Sequence, residues 1–441
     1  MDVVRQDTIG PLSHLRRLVA VFVLGAVLVS GPFAGAATVR WTPIPPAPLS
    51  PRGFHTAVWT GTEMLVWAGS SAGRLFADGA VYVPSAGSWR AMARSPLDPR
   101  TGHVAVWTGR ELLLWGGCCD RSGGEFADGA AYDPRRDRWR ALPDAPISAR
   151  TGHAGVWTGT ELVVWGGHVF DREFADGAAY DPARERWRGL PASPAEGRFG
   201  HTAVWTGTEM LVWGGATATG TLADGAAYDP AAAAWRPVPA APIAGRSGHT
   251  AVWTGTDLMV WGGCCDEAAA ELFDGAAYDP ATDAWNAIPP GPLAPRQLHS
   301  AVWTGDQMVV WGGRSGLDGY PPDAASYEPA TATWVRLRRG GLVPRAGHSA
   351  VWTGAEMLLW GGCCTASQEG FGDGAALSFA PTPPPPSPPP SPPPGAPLTT
   401  PEAAPGADDA PPVLPVVLAA VGSIAVAAVV AMLVRGRRRR R

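Results

Sequence analysis

Along the middle of the chain, apolar positions come in short bursts rather than long runs. From His55 the line HTAVWTGTEMLVW gives two stretches of four or five residues, broken at Thr60 and Gly61. Bursts bounded by Gly, Thr and Asp-Pro pairs predict strands joined by tight turns. The same line returns with small changes at His103, His153, His201, His249, His299 and His348, at spacings of 48, 50, 48, 48, 50 and 49 residues. A period near fifty predicts a stack of small supersecondary units. Each unit reads as four strands. A is HTAVW, B is EMLVW, C is GAAYD entered from Phe-Ala-Asp, and D is WRALP entered through an Asp-Pro turn. Pro-rich links such as DAPISAR join D to the next A.

The 21 tryptophans fall in register, seven each on strands A, B and D. The D set starts early, at Trp41, and ends at Trp334, so the last unit has strands A, B and C only, ending near Phe379. Residues 38–46 supply its missing strand D. This predicts a ring of seven four-stranded sheets closed by its own N-terminal strand, which hides an edge that would template aggregation.

Four features recur in these units: Arg-x-Gly-His at the start of A, Gly-Gly closing B, Tyr on C and Trp opening D. Over about 340 residues the chain thereby resembles the kelch repeat. The WD40 repeat is a weaker match, because the Trp-Asp pair is missing and its period is shorter. Two departures are visible: Ala68-Gly69 replaces Gly-Gly in unit 1, and Leu377 replaces Tyr in unit 7. The resemblance implies an all-β, seven-bladed β-propeller over residues 38–379. It also implies candidate chemistries. Kelch propellers include galactose oxidase, whose copper site needs two tyrosines and two histidines, one of the tyrosines being linked to a cysteine. Only Tyr320 and His168 stand outside the repeat positions here, so that inventory fails. A mutarotase-type sugar-modifying activity, which needs only a few polar groups at a channel mouth, stays open as an alternative.

The chain ends carry other signals. Arg5, Arg16 and Arg17 precede the apolar run 18–29 and a small-residue stretch, FAGAA; this order reads as a secretory signal peptide over 1–37, with a retained anchor as the competing reading. Residues 413–434 carry no charge and are long enough to cross ~30 Å of hydrocarbon as a transmembrane helix. The arginine tail 435–441 then places the C-terminus in the cytoplasm and the propeller outside, a single-pass protein of the cell membrane. Between them, the Pro-rich segment 380–412 cannot bury a core and reads as a stiff, disordered stalk on the order of 100 Å long. The chain has no lysine and a single asparagine, Asn286, a composition expected of a GC-rich bacterial genome. Its net charge is −4; without the signal and tail the balance falls to −11, which argues against nucleic acid as a partner.

A four-strand meander puts the starts of A and C and the ends of B and D on one face. That face collects Arg52, Arg100, Arg150, Arg198, Arg246, Arg296 and Arg345, and opposite them Asp78, Asp128, Asp176, Asp224, Asp274, Asp323 and Asp373. A belt of bidentate ion pairs is expected, solvated charges being the competing reading. The seven strand-A histidines are spread one per unit, whereas a metal site needs three or four convergent ligands, so they are expected to pack and hydrogen-bond. No metal and no cofactor is expected. A unique ligand site should be built from residues that break the repeat. Two B–C loops qualify: Arg314, Asp318 and Tyr320 in unit 6, and His168, Asp171, Arg172 and Glu173 in unit 3.

All six cysteines lie in three Cys-Cys pairs after Gly-Gly, in units 2, 5 and 7. Sheets pack ~10 Å apart and a disulfide needs Cα atoms within ~7 Å, so bridges between units are excluded. In an exported chain this leaves vicinal disulfides, Cys118–Cys119, Cys264–Cys265 and Cys363–Cys364. They are expected to rigidify loops; thiol or copper(I) binding is the alternative. The functional expectation is a monomeric, non-catalytic ligand-binding or adhesion module for an extracellular glycan or protein.

Overall fold

The computed structural model describes residues 39–119, 124–265, 270–316, 319–363 and 369–379. The expected signal, stalk, span and tail lie outside the described residues, among which no helix is long and apolar enough to cross a membrane. The described residues form seven four-stranded antiparallel sheets, the blades of a propeller, and three short hairpins. In blade 1 the strands are Thr56–Trp59 (A), Met64–Trp67 (B), Gly79–Val83 (C) and Ser88–Ala91 (D). Neighbouring A strands touch all the way round, so A is innermost and D outermost. Blade 7 consists of Ser349–Trp352, Glu356–Trp360 and Gly374–Phe379, completed by the N-terminal strand Val39–Ile44. That strand pairs antiparallel with the last one, from Val39 opposite Phe379 to Ile44 opposite Gly374.

Strand B reads as a continuous apolar run, such as Met64–Trp67, because neighbouring blades cover both of its faces; all four residues are buried. Between blades 1 and 2 the core gathers Leu65, Trp67, Val81, Leu112, Leu114 and Tyr132. Each seam carries the same aromatic triplet. The strand-B Trp of one blade meets the strand-A His and the strand-D Trp of the next. Between blades 1 and 2, Trp67 lies 5.0 Å from His103, edge to face, and 5.9 Å from Trp139. At the closing seam Trp360 of blade 7 meets His55 and Trp89 of blade 1, and between blades 6 and 7 Trp311 meets His348 and Trp41. The strand-D indole N–H groups donate back across the seam, as Trp89 does to Pro45 O at 2.9 Å and Trp187 to Pro143 O at 2.9 Å.

The histidines are thus seam residues. Nε2 of His103 bonds Thr56 Oγ1 of the preceding blade at 2.8 Å, and His55, His249, His299 and His348 use Ser349, Thr202, Thr250 and Ser300 in the same way. At His153 and His201 the equivalent positions are Val104 and Ala154, which offer the ring no hydroxyl across the seam.

The arginines settle the choice between paired and solvated charges, because their exposure is 0–1%. Each guanidinium meets its blade's aspartate at 2.6–2.9 Å. Arg52 also donates to Ser50 O and Ala68 O, and lies 4.0 Å over the Phe76 ring. One side chain therefore ties the D–A link, the end of B and the start of C together. Removing one partner of such a group leaves a buried charge, which costs several kcal/mol. The opposite face has a second set of ties in blades 1–4, which the repeat pattern does not announce: Arg140 pairs with Glu111 in its own blade and with Tyr180 Oη of the next, and Arg90, Arg188 and Arg236 act alike. Blades 5, 6 and 7 carry Asn286, Val335 and Thr42 at that position and lack these ties.

Two outcomes follow from these contacts. Trp41→Ala removes the closing indole, its bond to Arg338 O and its packing against Gly340. It should destabilise the fold by about 3 kcal/mol, read by denaturant unfolding, and raise aggregation through the freed edge. The histidines give an acid limb. Burial, reinforced by the adjacent arginine, lowers His55, His103, His153, His201, His249 and His348 from the usual 6.5 to about 3, and His299 well below 6.5. Between these values the unfolded chain binds the protons and the folded chain does not. Stability should therefore be flat above about pH 6.5 and fall as pH drops below it. A pH series of thermal melts reads this, and His103→Gln should lower the proton uptake on unfolding by about one.

Candidate functional site

The face that carries the B–C loops is built from three positions per blade. The residue after each buried arginine pairs, in an isolated antiparallel bridge, with the residue after the Gly-Gly of the same blade, or after Ala68-Gly69 in blade 1. These pairs are Gly53 with Ser70, Thr101 with Cys118, Thr151 with His168, Phe199 with Ala216, Ser247 with Cys264, Gln297 with Arg314 and Ala346 with Cys363. They form a crown around the axis, from which the B–C loops of differing length and sequence depart. The next residue turns the chain into strand A with φ between 55° and 66° in all seven blades. That left-handed conformation suits glycine, and Gly102, Gly152, Gly200, Gly248 and Gly347 occupy it. Neighbouring positions are joined by main-chain bonds: Phe54 N to Gly347 O, Gly347 N to Leu298 O, Leu298 N to Gly248 O and Gly200 N to Gly152 O.

Blades 1 and 6 break this rule. Phe54 and Leu298 hold φ of 55° and remain 41% and 37% exposed. They flank Gly347 of blade 7, where an added Cβ would stand 2.9 Å from the Phe54 ring. A large side chain held in a disfavoured conformation and left in water is poor for stability, and such outliers concentrate at functional sites. The sequence carried the signal: Arg-x-Gly-His becomes Arg-Gly-Phe-His and Arg-Gln-Leu-His at these two sites. Phe170 is a third such residue. It sits at the tip of the blade 3 hairpin with φ of 50°, 77% exposed.

The loop residues expected from sequence are spread around this crown. His168 sits in a hairpin, His168–Val169 paired with Arg172–Glu173. Its ring packs 4.3 Å from Phe199 of blade 4, and Nδ1 faces Phe170 O at 3.2 Å. Asp171 is exposed at the hairpin tip. Arg172 lies 5.2 Å over Phe174 and lines a cleft of about 380 Å³ with Glu173, Asp176, Leu190 and Ser193, on the outer side of blade 3. In blade 6, Arg314 is exposed and reaches Glu271 of blade 5 at 3.8 Å, Tyr320 is half-buried, and Asp318 lies outside the described residues. The two groups do not meet. They are linked through the loops between them: Ala218 N bonds Glu173 Oε1, Thr221 Oγ1 bonds Cys265 O, and Gln297 Nε2 bonds Glu271 Oε1.

The cysteines stand in the crown itself. Cys118 is joined to Cys119 and Cys264 to Cys265. Cys363 is also disulfide-bonded, and Cys364 lies outside the described residues. With their sulfurs joined, the described pairs present no thiolate to a soft metal. Among the described residues no three His, Cys, Asp or Glu side chains converge as metal ligands.

Restoring the repeat tests the strain directly. Leu298→Gly should raise stability by about 0.5–1 kcal/mol, the left-handed penalty less the entropy cost of glycine, read as a higher melting temperature.

The comparisons with known proteins agree with this architecture. The model of the KLHDC2/KLHL20/DRC7 Kelch-repeats domain matches residues 102–291 and 248–379, together more than half of the chain. No curated protein matches. With seven Arg-x-x-His blades in the structure, six of them carrying Gly-Gly, and this match across blades 2–7, the chain belongs to the KLHDC2/KLHL20/DRC7 kelch-repeat family and is a seven-bladed kelch β-propeller.

Proposed function

We propose that this protein is a non-catalytic recognition module that binds a partner protein through its crown and is displayed outside the cell. Kelch propellers generally mediate protein interactions, which favours a protein over the glycan as ligand. The observation that carries the reading is the pair of exposed apolar side chains, Phe54 and Leu298, held on the crown at a cost in stability beside loops that differ from blade to blade. The seams and the buried arginines make the scaffold beneath them rigid, which keeps the entropy cost of binding low.

The polarity of the propeller supports display. Strand C of blade 7 runs away from the crown and ends at Phe379, paired with Val39. The chain therefore enters and leaves the propeller at the face opposite the crown. The proposed Pro-rich stalk, residues 380–412, and the proposed span, residues 413–434, follow Phe379 in the sequence.

The full chain, probed in parallel against a displayed protein library and a glycan array, tests this. A protein ligand is expected. Phe54→Gly and Leu298→Gly together should weaken it about 30-fold or more, the loss of roughly 2 kcal/mol typical of an anchor residue, while the melting temperature holds or rises. Binding that the two changes leave intact, or a response to glycans alone, overturns the proposal.

A further inference from the structure

The cysteine pairs track loop length. In blades 1, 3 and 4 the amide of Phe76, Phe174 and Leu222 bonds the carbonyl of Gly69, Gly167 and Gly215, closing six-residue loops. Each folds as a hairpin of two-residue strands. In blades 2, 5 and 7 the same bond runs from Phe126, Leu272 and Phe371 to Gly117, Gly263 and Gly362, closing eight-residue loops. The three eight-residue loops open with Cys-Cys; the three six-residue loops contain no cysteine.

The local geometry explains the association. Cys118 bridges Thr101 on one side and Glu125 on the other, and Cys264 likewise bridges Ser247 and Glu271. The next residue leaves the ladder. Cys119 and Cys265 have φ of 81° and 84°, a conformation that L residues rarely adopt, whereas Ser71, Val169 and Thr217 at the same place in the six-residue loops do not show it. Cys119 N then bonds Gly124 O and Cys265 N bonds Ala270 O, and Cys265 O accepts from Thr221 of blade 4. The covalent ring holds the second cysteine where its backbone would not otherwise stay, and so sets the point at which the longer loop departs. Cys265 is exposed and Cys119 half-buried, so a reductant reaches the sulfurs without opening the core.

Resting on the crown as the binding face, we propose that the pairs of blades 2 and 5 are thiol–disulfide exchange sites through which an external dithiol releases the crown backbone at Cys119 and Cys265. The balance is simple. A thiolate of the dithiol attacks Cys265 Sγ and breaks the Cys264–Cys265 bond. Cys264 leaves as a thiolate and takes a proton. The second thiol of the reductant then closes on the mixed disulfide, releasing Cys265 as a thiol. Two electrons pass to the protein and the dithiol becomes a cyclic disulfide. Freed of the ring, Cys119 and Cys265 return to an ordinary backbone conformation, and the bonds to Gly124, Ala270 and Thr221 that depend on the present one are lost.

The experiment uses the full chain with dithiothreitol under native conditions, followed by alkylation, intact mass and amide hydrogen exchange. The expected result is six alkylated cysteines with tryptophan emission unchanged. Exchange should rise at least tenfold at the amides of Cys119 and Cys265, whose bonds to Gly124 O and Ala270 O are released, with none over the cysteine-free loops 168–173 and 216–221. Cys264→Ser/Cys265→Ser should show the faster exchange at the amide of residue 265 without reductant. Unchanged exchange once mass shows the pairs open, pairs that resist reduction in the native state, or unfolding of the propeller as they open each overturns it. None of these readouts needs a partner, so they stand apart from a failure of the crown to bind protein.

Discussion

The seam between blades is the contact on which everything else depends. No blade covers its own faces; each buries its strand B only because neighbours stand on both sides. The strand-B Trp, the following His and the following strand-D Trp form one unit of that contact, and its repetition round the axis fixes the angle from blade to blade. A ring of such seams is stable only if it closes, which is why the segment at Trp41 has to return to the last blade. The closing strand is bonded along six residue pairs, and it makes the two ends of the propeller neighbours at one face.

The buried arginines act at right angles to the seams. Each holds its own blade together at the end nearest the crown, tying three separated backbone segments to one guanidinium. Arginine suits the role because its planar fork meets a carboxylate and backbone carbonyls at once, which the point charge of a lysine ammonium does not. These cations are spent on the scaffold. The crown above them is free to vary in sequence, because the position of each loop is set from below.

That division explains where irregularity is tolerated. Left-handed conformations at non-glycine residues recur in the crown, at Phe54, Leu298, Phe170, Cys119 and Cys265, and in the C–D turns of the opposite face, at Asp137, Glu185, Ala233, Asp283 and Ala332. Blade 1 also keeps Ala68 with φ of 64° in a fully buried site where the other blades have glycine, so the seams absorb a local cost even inside the core. Strain of this kind persists only where surrounding contacts over-determine the backbone.

Much was legible from residues alone. The period of the His-led lines, the register of the tryptophans and the early Trp41 together specify seven sheets and their closure, because each is a local pattern repeated. The pairing of Arg52-type and Asp78-type residues and the isolation of the cysteine pairs also follow from strand order and simple distances. Other features needed tertiary structure: which hydroxyl each histidine meets, why His153 and His201 meet none, the Arg–Glu–Tyr ties of blades 1–4, and the exposure of Phe54 and Leu298 beside Gly347. The physical reason is the same in each case. A repeat dictates contacts within a blade, where partners lie close in sequence. Contacts across a seam or over the axis join residues about fifty or about three hundred positions apart, and which of them are buried or exposed is decided only when the ring has closed.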